Sequence, residues 1–204
     1  MTRRKLLEWG GVAAGVILIA FGIGALVLSI AGHREVGTQL SREKIVGTPD
    51  MTPEGIAQGA KEAGLPASIE LPTCSVAGEE IDTGSEAKCF ADYMRIHALE
   101  STGGLAYAEM GQYVSAADPK DPAGTNDPAA AQKDADGNPV SNGARNVWVT
   151  ETALSTALYT SFLAEGTALF GIVVGIALIL AGIGFIVLAL GGALRRARTA
   201  DAPA

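Results

Sequence analysis

The sequence predicts a mainly α-helical membrane protein: a two-helix transmembrane hairpin with a small, mostly helical, loop-rich extracytoplasmic domain between its spans. Three observations predict it. Residues 9–32 and 166–194 carry no charged side chain, and each exceeds the ~20 apolar residues needed to cross a hydrocarbon core. Glycines at Gly11, Gly15, Gly22, Gly24 and Gly32 recur 160 positions later at Gly171, Gly175, Gly182, Gly184 and Gly192. Charge is segregated: residues 1–32 and 166–204 hold six Lys/Arg against Glu8 and Asp201, net +4, whereas 33–165 hold nine Lys/Arg against twenty Asp/Glu, net −11. Such an acidic segment repels phosphate and disfavours nucleic acid as a partner.

Orientation follows from the flanks. Arg3, Arg4 and Lys5 precede the first span, and Arg195, Arg196 and Arg198 follow the second. Basic residues near span ends stay on the cytoplasmic side, so residues 1–8 and 195–204 are expected as cytoplasmic tails of a multi-pass plasma-membrane protein, with 33–165 outside. Ser29-Ile30-Ala31 has the small-x-small form of a signal-peptidase site, and Thr2-Arg3-Arg4-Lys5 loosely echoes a twin-arginine signal. The apolar run is longer than a signal core of about 7–15 residues, which predicts an uncleaved anchor.

Within the spans, spacings of 4, 7 and 11 return to nearly one helix face. Gly11, Gly15, Gly22 and Ser29 form one small-residue stripe, and Gly171, Gly175, Gly182 and Ala189 form another. Ten of the 22 positions aligned from Gly11 and Gly171 are identical, which argues against pure chance although low complexity inflates the count. Small residues let membrane helices approach closely where lipid already satisfies apolar surface. An antiparallel hairpin is expected to place Gly22 opposite Gly182, Gly15 opposite Ala189 and Ser29 opposite Gly175, within one chain or between two. Neither span contains an ionisable residue, which argues against a transporter, channel or proton relay.

The outer segment reads in order. Residues 33–40 continue the first helix, and 40–46 alternate as a short extended piece. Thr52-Pro53-Glu54 signals a helix start, with Ile56, Ala57, Ala60 and Ala63 on its apolar side and Gly64-Leu65-Pro66 as its stop. Residues 66–82 read as loop with a brief strand. Residues 85–101 form the strongest water-facing helix, with Phe90, Tyr93, Met94, His97 and Ala98 on one face. After Thr102-Gly103-Gly104 a second short helix is expected over 105–114, burying Leu105, Ala108, Met110 and Val114. Residues 116–146, with three Asp-Pro pairs, read as a flexible loop rich in turns. A last helix starts near Thr150 and runs into the second span, with Trp148 and Tyr159 suited to an interfacial or inter-helix position.

Chemistry-bearing residues are few. Cys74 and Cys89 are the sole cysteines, and an even pair in an oxidising compartment predicts a disulfide. His97 is the one candidate catalytic or ligand histidine, with Glu100 and Glu109 nearby, although its place on an apolar helix face better suits a hydrogen-bonded core histidine. His33 and Glu165 are expected at the membrane edge. Asp134-Ala135-Asp136-Gly137-Asn138 resembles the start of a calcium loop, then departs from it at Pro139 and Arg145, so a turn is expected. Glu79-Glu80-Ile81-Asp82 reads as a solvated acidic loop. No catalytic, metal or cofactor set assembles, and no cofactor is predicted.

Residues 92–110, from Asp92-Tyr93-Met94-Arg95-Ile96-His97 to Tyr107-Ala108-Glu109-Met110, together with Arg145-Asn146-Val147-Trp148-Val149-Thr150-Glu151, resemble small two-span membrane proteins of actinobacteria. Members often carry the label of LigA-type aromatic ring-opening dioxygenases. The resemblance implies the two-span architecture and no residue roles. A non-haem iron oxygenase of the facial-triad type needs two histidines and a carboxylate on one metal, whereas His33 and His97 are separated by half of the outer segment. The expectation is therefore a non-enzymatic structural or accessory protein. Its partners are the lipid bilayer and, through the acidic outer domain, another membrane or envelope protein, or itself as a homo-oligomer. The alternatives are an extracytoplasmic ligand-binding or sensing domain with His97 lining a pocket, and an enzyme using His97, Glu100 or Glu109.

Overall fold

A computed structural model describes residues 3–191. The expected end of the second span at Leu194, the basic tail with Arg195, Arg196 and Arg198, and Thr2 of the twin-arginine echo lie outside the described residues. The described chain is mainly helical: α1 (Arg3–Glu43), α2 (Pro53–Glu62), α3 (Gly84–Ser101), a 3-10 turn (Tyr107–Glu109) and α4 (Gly143–Gly191), with isolated β-bridges and no strands among the described residues. Two compact units are present. One comprises residues 3–35 with 164–191, and the other is Val36–Leu163. Both long helices contribute to each unit, and both are long and apolar enough to cross a membrane.

In the first unit α1 and α4 pack antiparallel along the two small-residue stripes. A Cβ built on Gly15 would lie 2.6 Å from the Gly182 carbonyl, and one on Gly22 would lie 2.7 Å from that of Gly175. Built on Gly11, it would meet the Ala189 methyl at 2.9 Å, and on Gly171 it would overlap the Ser29 hydroxyl. The stripes are the predicted ones, but the register is not. Gly22 faces Gly175 rather than Gly182, Gly15 faces Gly182 rather than Ala189, and Ser29 faces Gly171 rather than Gly175. The physical reason is the number of close approaches. The observed register sets glycine against glycine twice, at Gly15–Gly182 and Gly22–Gly175, while the expected one does so once, at Gly22–Gly182, and leaves Gly171 opposite His33.

Branched side chains complete the contact. Ile186 sits over Gly15 and Ile179 over Gly22, while Ile19 sits over Gly182 and Leu26 over Gly175. Each knob lies four residues after a glycine of its own helix, and the unit repeats after seven, the period of left-handed helix packing. The outward faces carry Phe21, Val27, Leu28, Phe170, Val173 and Leu180, all more than 60 % exposed. Water solvates such a surface poorly and lipid solvates it well. Where the charge-free stretches give way, His33 Nδ1 stands 3.5 Å from Glu165 Oε1, which places both residues in the hairpin unit.

In the second unit α2 begins as its sequence predicts: the Thr52 hydroxyl accepts from Gly55 N–H, with Pro53 at the first helical position. Ile56 and Ala60 are buried, whereas Ala57 and Ala63 are exposed. Thr83 and Glu86 form a reciprocal capping box at the start of α3. This helix is enclosed on several sides, not one: Ala87, Cys89, Ala91, Tyr93, Ile96, Ala98 and Leu99 are all buried, with Phe90, Met94 and His97 half-buried. Tandem left-handed glycines, Gly103 (φ 63°) and Gly104 (φ 83°), end it where a side chain would be strained. Just before them, buried Thr102 accepts from Trp148 Nε1, which also donates to the Leu105 carbonyl at 2.8 Å. Of the two positions expected for Trp148, the inter-helix one holds: it is buried and ties the end of α3 to α4.

Four expectations are corrected here. Residues 40–43 are helical, not extended, because Leu40 turns into the core one turn after Val36. The brief strand expected in 66–82 is reduced to isolated bridges, Val46 with Glu80 and Gly47 with Ala77. The short helix expected over 105–114 shrinks to the Tyr107–Glu109 turn, since the following backbone pairs elsewhere: Tyr113 exchanges hydrogen bonds with Thr125, and Val114 with Gln132 and Val140. Met110 of that segment is buried and Ala108 exposed. Finally, α4 starts at Gly143 rather than near Thr150, because the Asn142 carboxamide caps Ala144 N–H and donates to the carbonyls of Gly111 and Pro122.

Of residues 116–146, expected as a flexible loop, 116–142 form a hydrogen-bonded coil and 143–146 open α4. In each Asp-Pro pair the carboxylate of Asp118, Asp121 or Asp127 accepts the N–H two residues on, at 2.8–3.0 Å. These Asx turns bend the chain repeatedly, and backbone pairs such as Ala116 N–H to Ala130 O lace the bends together. Asp134 closes the last turn by accepting from Asp136 and Asn138.

The sulfurs of Cys74 and Cys89 lie at bonding distance across a 15-residue separation. Alongside them the hydroxyl of fully buried Tyr93 donates to the Cys74 carbonyl at 2.6 Å. Two outcomes follow from this packing. Gly22→Leu is expected to destabilise the helix pair in detergent by about 1–3 kcal/mol through overpacking, while Gly24→Leu, whose Cβ meets nothing within 4 Å, leaves unfolding unchanged; helix loss during denaturing-detergent titration measures both. Cys89→Ser is expected to cost the outer unit about 3 kcal/mol on the loop-entropy estimate, read by urea unfolding with and without reductant.

Candidate functional site

The three residues singled out by the sequence do not come together. Glu109 Oε2 accepts the Ala106 N–H at 2.7 Å and caps the 3-10 turn on an exposed edge. His97 and Glu100 do meet, on adjacent turns of α3, with His97 Nδ1 3.3 Å from Glu100 Oε2. The third participant is one the sequence did not reveal: Asp50, in the loop before α2, stands 3.5 Å from His97 Nε2. No local pattern marked Asp50, since its distance to His97 is set by tertiary packing of α2 against α3.

The site is polar but not converging. The Thr48 side chain holds the Asp50 carboxyl below the usual range, and its own backbone N–H and the His97 charge pull the same way, against partial burial. Glu100 reaches toward α2, where Gly59 leaves room: a Cβ there would lie 2.6 Å from Glu100 Oε1. The two carboxylates address opposite nitrogens of one imidazole, so a single ion cannot take all three as ligands. Among the described residues no group of three or more His, Cys, Asp or Glu is arranged to hold a metal ion. The arrangement can hold an imidazolium between two anions, or pass a proton along the ring.

Beside His97 a cavity of about 450 Å³ opens between α3 and the first turns of α4, lined by Met94, His97, Asn146, Val147, Thr150 and Glu151. Glu151 is buried and answered by hydroxyls, accepting from Ser155 Oγ at 2.8 Å and Thr152 Oγ1 at 3.3 Å. The Glu151–Ser155 pair has i,i+4 helical spacing, a signal that was available in the sequence.

A second polar network runs along the other side of α3. Asp92 accepts from Lys88 Nζ and from the Tyr159 hydroxyl, each at 2.6 Å. Burial, reinforced by the Asp92 carboxylate, pushes the Tyr159 phenol up to about 12. Arg95 stacks over the Trp148 ring at 5.3 Å and Arg145 over Tyr107 at 4.1 Å. Several cations of the unit are thereby drawn onto its own surface. The Glu79–Asp82 segment is solvated as expected, apart from Ile81, which is fully buried.

Comparison with known protein families, with curated proteins and with solved structures finds no match.

Tyr159 lies before the charge-free stretch of α4 and yields a pH dependence. Its folded-state value lies above that of an unfolded tyrosine, about 10, so its stabilising contribution is complete below that pH and is lost as pH rises toward 12. Thermal unfolding of the wild type is expected to weaken more steeply between about pH 10 and 12 than that of Tyr159→Phe; parallel melting curves of the two proteins check it.

Proposed function

We propose that this chain is a membrane-anchored accessory protein whose acidic outer unit binds another component of the envelope or of a membrane complex. The observation that carries the reading is the division of labour between the two units. The hairpin is packed backbone to backbone through glycines, with no ionisable side chain in residues 9–32 and 166–191; that suits an anchor better than a conduit. The unit Val36–Leu163 holds eight Lys/Arg against eighteen Asp/Glu, net −10. Several of its cations are occupied internally, Lys88 by Asp92, Arg95 by Trp148 and Arg145 by Tyr107. What remains outward is an excess of carboxylate over the five exposed cations Arg42, Lys44, Lys61, Lys120 and Lys133, which steers and selects a basic partner surface.

In this reading both termini are cytoplasmic and the acidic unit is extracytoplasmic. The paired sulfurs of Cys74 and Cys89 support that side, because disulfides persist where the compartment is oxidising. A second reading, an outer domain that binds a small ligand, is favoured by the cavity beside His97 and Glu151.

Chemical crosslinking in intact cells, followed by mass spectrometry, tests the first reading. Crosslinks from the 36–163 unit to a second membrane or envelope protein with a basic face are expected. Co-purification in mild detergent should then weaken as salt rises, since exposed charge pairs are screened beyond about 10 Å at 0.1 M. A chain that crosslinks to nothing and emerges alone as a monomer would overturn it; links to its own copies alone would make the partner a homo-oligomer.

A further inference from the structure

A different cavity, of about 420 Å³, lies within the second unit between the end of α1, the middle of α3 and α4. Leu40, Ile45, Phe90, Met94, Leu154 and Leu158 form its walls. Polar groups enter it from Gln39, Glu43 and Ser161 alone. An ordered water needs two to four polar partners, so most of this space suits an apolar occupant. Its volume falls in the ~300–1,000 Å³ range of small-molecule pockets.

The wall is held in place by an unusual backbone. Lys44 ends α1 at φ 52°, the one positive-φ residue other than glycine among the described residues. That left-handed turn is disfavoured for a side chain, and it brings Ile45 to the cavity. The Ile45 carbonyl then accepts from Ile81 N–H at 2.9 Å, which fixes the turn.

We propose that this cavity holds a single acyl chain of a membrane lipid; the proposal rests on the membrane-anchored reading above. Three observations select that occupant. A helix of a partner or a second copy, roughly 10 Å across, would fill the volume in about one turn, whereas an extended methylene chain threads it. The acidic unit and Glu43 at the rim disfavour an acidic peptide. Both long helices that line the cavity run on into the charge-free stretches: Leu40 lies eight residues after Gly32 on α1, and Leu158 eight before Gly166 on α4. Met94 gives the wall an adaptable side chain suited to a flexible chain.

The test feeds a photoreactive diazirine palmitic acid to cells expressing the full chain, irradiates their membranes, and maps the label by mass spectrometry. Label is expected on the peptides holding Phe90 and Met94 and holding Leu154 and Leu158, as well as on the spans. Ala157 also lines the cavity, and Ala157→Trp, which adds bulk there, should lower cavity labelling at least fivefold and leave span labelling unchanged. Ala157→Leu should lower it partially, and decides the matter if the tryptophan variant fails to form the Cys74–Cys89 crosslink on a non-reducing gel. Labelled spans with unlabelled cavity peptides would overturn the proposal, as would cavity labelling that neither substitution reduces in folded protein. Spans that take no label would instead overturn the membrane reading, and this proposal with it.

Discussion

Direct approach of two backbones is the constraint on which the hairpin depends. At Gly15 against Gly182 and Gly22 against Gly175 there is no room for a single methyl group on either helix. Two apolar helices in lipid gain little from the hydrophobic effect, so their association comes from dispersion over closely matched surfaces. The glycines supply the hollows, and Ile19, Leu26, Ile179 and Ile186 supply the branched knobs that fill them. A hairpin built this way is specified by shape, through the fit of branched side chains into glycine hollows.

The second unit is held by a different kind of constraint. It is small and much of it is not helical, so its order comes from crossing points that each join distant segments. Cys74–Cys89 and Tyr93 fasten the loop before α3 to that helix. The Thr102–Trp148–Leu105 knot fastens the far end of α3 to α4, and Asn142 joins the aspartate-rich coil to the start of α4. Each point satisfies buried polar groups that would otherwise be costly. Most of the acidic side chains, Glu151 apart, are left at or near the surface.

The legible parts of this chain were the ones governed by local chemistry. Thr52-Pro53 and the Thr83–Glu86 box mark helix starts because capping is settled within four residues. The glycine stripes were legible for the same reason, as periodicity belongs to one helix. Register was not, because it depends on how many glycines the two helices set directly against each other. Asp50 beside His97 and Asp92 beneath Tyr159 were hidden, since only tertiary packing makes them neighbours. Asn142 was a readable cap overlooked among turn-forming residues. In the aspartate-rich coil, the composition that reads as mobility also builds the Asx turns that organise it.

Cysteine crosslinking at the end of the hairpin tests the account most directly, because it reads register without disturbing the glycine hollows. Gly32 lies beside Ala168 in ordinary van der Waals contact, 3.9 Å for an added Cβ. The account predicts that Gly32→Cys with Ala168→Cys forms an intramolecular disulfide rapidly on mild oxidation in membranes. The register expected from symmetric pairing of the two stripes would place Ile172 there instead. Faster crosslinking of Gly32→Cys with Ile172→Cys than with Ala168→Cys would contradict the packing described.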